Sequence, residues 1–252
     1  MRVTQEAAYV LHSRNYGETS LLVELFTRHY GRIGAVAKGA RKKQSKQGSL
    51  FSLFQPIIVG WSGKGELVTI TQCESERAEV PLDGEALFCG FYLNELILNM
   101  LHRFDPHEAL YDNYGKALVD LRGSAREWAL RIFEKRLFSD MGYGLVLDHN
   151  IANNRPIDPE SDYVYIPDKG PVPLDISNTI SANSGSIRLK GKSLLALANE
   201  TIDGENTKIE IKHLMRELIL HHTGGKPIHS RHLLKSLRDK KVKPDSREIL
   251  NG

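Results

Sequence analysis

The chain has 252 residues, of which 40% are hydrophobic and 26% are charged. This composition is typical of one or two globular domains and excludes a fibrous or disordered protein. No apolar run approaches the roughly 18 residues of a membrane span, and the first residues lack the apolar core of a signal peptide. We therefore expect a cytoplasmic protein with no membrane partner. The two cysteines, Cys73 and Cys89, support neither a disulfide framework nor a cysteine zinc site.

The net charge of +3 is unevenly distributed along the chain. Residues 1–50 carry +6 and residues 221–252 carry +5, which leaves −8 for the residues between them. Basic ends indicate either a surface for a polyanion or cations that collect in solvated loops and tails. For the tail after Lys240 both alternatives stay open. For the N-terminal cluster, the predicted fold favours the polyanion surface.

The first 75 residues predict five short strands. Runs rich in β-branched, aromatic and leucine residues occupy 7–13, 20–27, 32–38, 56–61 and 67–74, with glycine-containing turns between several of them. Five strands of this length suggest a small closed barrel. Closure leaves no exposed edge strand.

Helical patterns follow the predicted barrel. Apolar spacing predicts helices over 84–104, 106–121 and 124–141. Ser124 with Glu127 forms a capping box for the third helix, and Gly142 is its expected end. Residues 148–186 contain several prolines and little periodicity, so we predict an irregular segment with one strand at 163–166. Further helices are predicted at 191–200, 205–222 and 229–239, the second of which ends at Gly224-Gly225.

The strongest local feature is the segment 38–46, which leaves the third strand with five cations: Lys38, Arg41, Lys42, Lys43 and Lys46. Such cations neutralise phosphates and release counterions, which gives affinity without sequence specificity. Aromatic side chains beside a basic groove offer faces on which bases stack. We expect Phe26 and Phe54 in the barrel core. Tyr16 and Tyr30 lie in turn sequences and are the stacking candidates.

A second basic feature follows the glycine pair near the C-terminus. Lys226, Arg231, Lys235 and Arg238 fall where they share part of one helical face. This pattern predicts either a second contact with DNA or a solvated amphipathic helix.

Two patterns that suggest chemistry have simpler explanations. Gly191-Lys192-Ser193 resembles the end of a phosphate-binding loop, but the glycine required upstream is replaced by Ser186. We therefore predict a helix start there and no nucleotide site. The late histidines show neither HExxH nor carboxylates at matching spacing, so we expect surface and helix-end residues: His213, His221, His222, His229 and His232. No nucleophile motif stands out, and we expect a protein that is not an enzyme and uses no cofactor or metal.

Short strings along nearly the whole chain form one pattern. They are YVLHSR at 9–14, GETS at 17–20, GR at 31–32, AKGAR at 37–41, YLNEL at 92–96, GYG at 142–144, GGKP at 224–227 and SR at 230–231. They resemble the RecO family of bacterial recombination mediators. The resemblance implies an α+β protein with a five-stranded oligonucleotide-binding (OB) barrel over 1–79 and a mostly helical domain over 80–252. Many members carry a four-cysteine zinc module after the GYG string. Since 148–186 holds no cysteine, the chain resembles the zinc-free, gamma-proteobacterial branch, with an irregular insert in place of the module.

The resemblance also implies a function. It implies a mediator of recombination in DNA repair, on the nucleoid, that binds single- and double-stranded DNA and anneals complementary strands without ATP. Its implied partners are RecR, the single-stranded-DNA-binding protein and, indirectly, RecA, whose loading it promotes. From the residues and the resemblance together, we expect DNA contacts from Arg14, Tyr16, Tyr30, Arg32, Lys38, Arg41, Lys42, Lys43, Lys46, Lys226, Arg231 and Lys235.

In zinc-free relatives the acidic tail of the single-stranded-DNA-binding protein docks on the helical domain. Arg131 matches a basic position there, and Trp128 and Ile132 would supply the apolar part of the site. Alternatively, Arg131 forms an ion pair with Glu127 or Glu134. Two rival functions remain at this point: an interaction adaptor whose barrel binds protein, and an enzyme with a histidine site.

Overall fold

The computed structural model describes residues 1–42, 47–77, 80–177, 187–201 and 204–231. The chain divides into two compact units. The barrel unit is Met1–Glu108 together with the chain from Pro227 onward, and the helical unit is Ala109–Lys226. No helix among the described residues is long and apolar enough to cross a membrane.

The N-terminal region is a closed five-stranded barrel in the order β1-β2-β3-β5-β4. Its strands are β1 (Arg2–Tyr16), β2 (Ser20–Thr27), β3 (Gly31–Ala37), β4 (Pro56–Ser62) and β5 (Leu67–Ser75). β3 and β5 pair in parallel, and the other neighbours are antiparallel. The predicted barrel is confirmed.

One long strand closes the barrel. β1 pairs with β4 through its first half and with β2 through its second half. Register shifts between Val3 and Glu6 and between Val10 and His12 mark the places where it bends. The sequence predicts only residues 7–13 of this strand, because most side chains at either end of β1 are polar and exposed.

The barrel interior is filled by alternate residues of all five strands, among them Val10, Val23, Leu25, Ile33, Ala35, Val59, Trp61 and Val68. Phe26 and Phe54 are buried but lie outside this cluster, which corrects the expectation that they belong to the barrel core. Successive strand residues point to opposite faces, so Phe26 points away from the interior. The ring of Phe54 packs against Phe91 of the first helix, 5.6 Å between centroids.

That helix, α1 (Gly84–Met100), belongs to the barrel unit. It ends four residues earlier than predicted, because the chain after Leu101 turns extended and follows β3. The N–H of Phe104 donates to the Arg32 carbonyl oxygen at 3.0 Å. A Cβ at Gly31 would overlap the carbonyl oxygen of Asp105, so the two backbones touch.

The helical unit contains most of α2 (Glu108–Asp120), and α3 (Arg126–Asp140), α4 (Leu174–Ser177), α5 (Gly191–Ala198) and α6 (Glu205–His222). α6 packs against α3 and α5. The predicted capping box is not formed: Ala125 is the N-cap residue of α3 and no side chain caps it. Tyr143 N–H donates to the Phe138 carbonyl at 2.8 Å, so the predicted end at Gly142 is confirmed.

The segment predicted to be irregular contains part of a three-stranded sheet. β6 (Asp162–Ile166) lies between β7 (Gly170–Pro173) and β8 (Ile187–Lys190). Of these three strands, the sequence predicts only β6. It does not predict β7, because Pro171 and Pro173 are typical of loops. Both prolines are tolerated since β7 is an edge strand. Of the predicted helix 229–239, residues 229–231 are helical and the rest lies outside the described residues.

Candidate nucleic-acid interface

Three strand ends meet at one end of the barrel. Tyr16 pairs with Ser20, and Leu21 pairs with Ala37, so the end of β1, the start of β2 and the end of β3 lie side by side. The side chains that we call the basic end are all exposed there: Arg14, Tyr16, Lys38, Arg41 and Lys42. The one carboxylate in the β1–β2 turn is Glu18.

Backbone hydrogen bonds hold the basic turn in place. Gly39 has a φ of +71°, a conformation that side chains other than glycine rarely adopt. The N–H of Lys42 donates to the Gly39 carbonyl at 3.1 Å, and the N–H of Arg41 donates to the Thr19 carbonyl at 2.8 Å. Arg41 Nη1 donates to the Gly17 carbonyl at 3.3 Å. The two turns therefore hold the cations beside Tyr16, whose side chain is 47% exposed. Lys43 and Lys46 lie outside the described residues.

Tyr30 lies at the opposite end of β2. The seven-residue rise along this strand separates the two tyrosines by about 23 Å, so they do not form one stacking site. Tyr30 is half-buried, and its ring meets Trp61 edge-on, with 5.2 Å between centroids. The sequence places Tyr30 and Tyr16 in similar turns, but these turns are at different ends of the barrel.

Arg32 is part of the contact between β3 and α1. Its Nη1 donates to the Leu98 carbonyl. Burial lowers the pKa of the Arg32 guanidinium, against the opposite influence of Glu24. Whether Arg32 contacts DNA stays a prediction, and in this structure its guanidinium is engaged by α1.

Arg103, which the sequence did not single out, covers the outer face of β2 and β3. It forms an ion pair with Glu24 and donates to the Glu66 carbonyl at 3.2 Å. A Cβ at Gly34 would overlap its Nη1, so the guanidinium lies directly on the strand. Small OB barrels bind oligonucleotides on this face. Here Arg103 occupies part of it, and the exposed cations lie at and beside the β1–β2 turn, which corresponds to a loop that OB barrels also use. The role of Arg103 was not predicted, because the apolar spacing predicted that α1 continues to residue 104.

The predicted C-terminal cations are placed differently from one another. Lys226 is exposed, whereas Arg231 Nη2 donates to Tyr92 Oη at 2.6 Å and the guanidinium lies 4.9 Å from the centre of that ring. Glu95 accepts the N–H of His229 at 2.7 Å and both the N–H and the hydroxyl of Ser230. We call these five residues of the barrel unit, Tyr92, Glu95, His229, Ser230 and Arg231, the C-terminal clamp. Lys235 lies outside the described residues.

Comparison with known proteins agrees with this architecture. Residues 1–78 match the family described as Recombination protein O N terminal, and residues 81–232 match Recombination protein O C terminal. The chain belongs to the RecO family. A DNA repair protein RecO from Nitrosospira multiformis is 43% identical over 94% of this chain and 97% of its own length. One from Nitrosococcus oceani is also 43% identical, over 94% and 95%, and one from Coxiella burnetii is 40% identical over 92% and 98%.

The RecO resemblance points to Arg131 on α3 as a partner-binding residue. Arg131 is buried, and its Nη2 lies 2.9 Å from Glu134 Oε1. Of the two ion pairs considered from the sequence, the structure therefore forms the one with Glu134. Trp128 is buried and Ile132 is half-buried. Binding of a tail at Arg131 stays a prediction for this RecO-family chain, and it requires the ion pair to rearrange.

His221, His222 and the glycine-lysine-serine string have structural partners in the helical unit, whereas His232 lies outside the described residues. His221 Nε2 and His222 Nε2 lie 2.7 Å and 3.2 Å from the two carboxylate oxygens of Asp168, and burial lowers the pKa of His222. Ser193 Oγ donates to Glu210 at 2.6 Å, in the first turn of α5 as predicted. Within the described ranges, no three His, Cys, Asp or Glu side chains are grouped to hold a metal.

Proposed function

We propose that this chain binds single-stranded and duplex DNA through the basic end of its barrel, and anneals complementary strands without ATP and without covalent chemistry of its own. Membership of the RecO family gives it a role in DNA repair and recombination. One observation carries the finer proposal: four exposed cations and an exposed tyrosine share one end of the barrel, where hydrogen bonds hold the turns together.

Annealing follows from the electrostatics of this surface. Two complementary strands repel each other through their phosphates, and lysine and arginine reduce that repulsion by replacing condensed counterions. Contacts to phosphate carry no sequence information, so any pair of complementary strands is brought together. Stacking on Tyr16 adds affinity for an unpaired base. The bases themselves supply the free energy of pairing, and no hydrolysis is needed.

The test is a charge reversal with a matched control. Arg41→Glu/Lys42→Glu changes two exposed residues of the basic end, and Lys116→Glu/Lys192→Glu makes the same change of charge at exposed positions of the helical unit. We expect the first variant to lose annealing and most single-strand affinity, and the control to keep both. Fluorescence anisotropy and an annealing assay measure the two properties. Full annealing by the first variant would contradict the proposal.

We further propose that the helical unit binds the acidic tail of the single-stranded-DNA-binding protein at Arg131, Trp128 and Ile132. Arg131→Ala is a poor test, because it breaks the buried ion pair with Glu134, and breaking such pairs destabilises proteins by about 3–5 kcal/mol. Arg131→Lys keeps the charge but removes the planar fork that binds a carboxylate. We expect weaker binding of a tail peptide to Arg131→Lys and unchanged binding to Lys212→Ala. Equal affinities would contradict this site.

The remaining partners are RecR and, indirectly, RecA. We propose that the chain, together with RecR, promotes RecA loading on DNA coated with the single-stranded-DNA-binding protein. A RecA ATPase assay on coated DNA measures this effect, and we expect the Arg41→Glu/Lys42→Glu variant to be defective. If that variant promotes RecA loading at the normal rate, RecA loading does not require the basic end.

A further inference from the structure

The end of the barrel opposite the basic end contains a cavity of about 450 Å³. It opens between the β4–β5 turn, the β2–β3 turn and the segment that follows α1. Its lining consists of Met1, His29, Tyr30, Trp61, Gly63, Lys64, Gly65, Val68, Phe104 and Pro106. A volume in this range suits a small ring system.

Aromatic side chains form much of the cavity wall. Tyr30 packs edge-on against the buried Trp61, and Phe104 is 45% exposed. A ring that is fixed on one side and open on the other offers a stacking face to a planar ligand.

The conformation of Phe104 is unusual for a bulky residue. Its φ is +59°, in the left-handed region, where a side chain carries a steric cost of about 1–2 kcal/mol. The hydrogen bond from its N–H to the Arg32 carbonyl and the contact of Asp105 with Gly31 hold it there. Strain of this kind clusters at ligand-binding positions, and here it presents an apolar ring to solvent.

The charges around the cavity favour an anionic ligand. Lys64 lines it and carries a positive charge. None of the described residues that line it is acidic. Two carboxylates lie within 4.0 Å of the His29 ring: Glu6, 3.0 Å from Nδ1, and Glu108, 4.0 Å from Nε2. Neither lines the cavity.

We propose that this cavity receives one unpaired nucleobase of a single strand, against Phe104 and Tyr30, with the adjoining phosphate beside Lys64. This inference rests on the proposed function, since the same strand is held at the basic end. A base within a duplex has no free face to insert, so the cavity distinguishes single strands from paired DNA. It therefore holds a strand until pairing withdraws the base.

The geometry sets a length requirement. The two ends of the barrel lie about 23 Å apart along β2, and OB folds cover about 4–16 nucleotides. An oligonucleotide too short to span that distance occupies one end only. A longer one occupies both ends, and its affinity then rises because the second contact is intramolecular.

Tryptophan fluorescence tests occupancy directly. The chain has two tryptophans, so Trp128→Phe leaves Trp61, in the cavity wall, as the only one. We expect oligothymidylate to quench Trp61 once it is long enough to reach the cavity. An oligonucleotide of the same length with abasic residues keeps its phosphates, and we expect it to bind the basic end without quenching. In the unaltered chain, a single 2-aminopurine base provides an independent fluorescence readout of stacking.

Phe104→Ala tests the wall, with Val119→Ala as a control, because both residues are large, apolar and exposed. We expect Phe104→Ala to weaken binding of long oligothymidylate about 5- to 160-fold and to leave binding of abasic DNA unchanged. Val119→Ala should bind like the unaltered chain. Circular dichroism and thermal unfolding verify that both variants fold.

The outcomes separate this inference from the proposed function. If DNA binds in a salt-dependent manner at the basic end, but neither Trp61 nor 2-aminopurine responds and Phe104→Ala binds normally, the cavity proposal alone is overturned. If oligothymidylate and abasic DNA quench equally, the cavity does not take a base, and a protein side chain becomes its better occupant. If Arg41→Glu/Lys42→Glu binds normally, the proposed function fails first.

Discussion

The two ends of the barrel are built in different ways. At the basic end, the side chains are exposed and the contacts that hold the turns together come mostly from backbone N–H groups. At the cavity end, backbone packs on backbone where Gly31 meets Asp105, and Trp61 is almost fully buried. The basic end therefore depends on which side chains it carries, whereas the cavity end depends on how closely the chain packs. Substitutions of the exposed cations should cost binding at the first end, whereas substitutions of closely packed residues such as Gly31 should cost folding at the second.

The largest expected effect compares two glycines with positive φ. Gly31 (φ +65°) has no room for a Cβ because of Asp105, whereas a Cβ at Gly39 (φ +71°) would lie 3.5 Å from the flexible side chain of Lys42. We expect Gly31→Ala to lower the free energy of unfolding by about 3 kcal/mol or more, from backbone strain plus overlap. Gly39→Ala should lower it by only about 1–2 kcal/mol. Urea denaturation measures both, and equal losses would contradict the comparison.

A pair of arginines gives the next largest effect. Arg32 donates to the Leu98 carbonyl from a half-buried position, whereas Arg41 is exposed. We expect Arg32→Ala to lower the free energy of unfolding by about 1.5–3 kcal/mol, since hydrogen bonds of charged groups are in this range. We expect Arg41→Ala to leave stability within about 0.5 kcal/mol and to weaken DNA binding. A stable Arg32→Ala variant with weak DNA binding would instead make Arg32 a DNA ligand.

The salt dependence of DNA binding distinguishes the two ends of the barrel through a smaller effect on affinity. Each phosphate contact to a single strand contributes about 0.7 to the slope of log affinity against log salt. Arg41→Gln/Lys42→Gln should therefore reduce that slope by about 1.4. Phe104→Ala should reduce it by at most about 0.7, for the one phosphate beside Lys64, because stacking itself releases few ions. Titrations at four or more salt concentrations measure the slopes, and a loss of slope for Phe104→Ala as large as that of Arg41→Gln/Lys42→Gln would contradict the assignment.

The smallest expected effect is a change in the alkylation rate of Cys73 on β5, which reports how tightly the barrel wall is packed. Burial, with a further contribution from Glu74, raises the pKa of its thiol to about 11. Because the thiolate is the reactive form, alkylation by iodoacetamide should be slow at pH 7 and accelerate about tenfold per pH unit until the pH approaches that pKa. In Gly31→Ala we expect faster labelling at pH 8, since a loosened wall exposes the thiol. Peptide mass spectrometry resolves Cys73 from the buried Cys89.

Local patterns were enough to predict most of the fold. The five strands, the helix over 205–222 and the helix ends at Gly142 and Gly224 follow from alternation, helical spacing and turn residues, which depend on near neighbours in the chain. The end of α1 and the cover that Arg103 gives to β3 depend on contacts between residues far apart in sequence. The strand β7 was missed because its two prolines are acceptable only at a sheet edge, and the sequence alone does not identify edges.

The candidate site was predictable to the same degree. Charge density identified Lys38, Arg41 and Lys42, which are exposed as a solvated loop requires. Tyr30 was grouped with Tyr16 because both lie in turn sequences, although the predicted strand 20–27 lies between them. The strand pairing places the two turns at opposite ends of β2. As an arginine, Arg131 has the residue type that often binds anionic ligands. Its burial against Glu134 depends on how the helices pack, which residue type alone does not predict.

The C-terminal clamp determines the order in which the barrel unit can be completed. Arg231 and Tyr92 are 139 residues apart in the chain, and the whole helical unit lies between them. During synthesis the barrel strands are available early, but their unit gains its last segment only after the helical unit has been made. The helical unit is thus one continuous stretch of chain, inserted between the two segments that make up the barrel unit. A chain cut before Pro227 would retain every strand of the barrel and lack the residues that Glu95 holds.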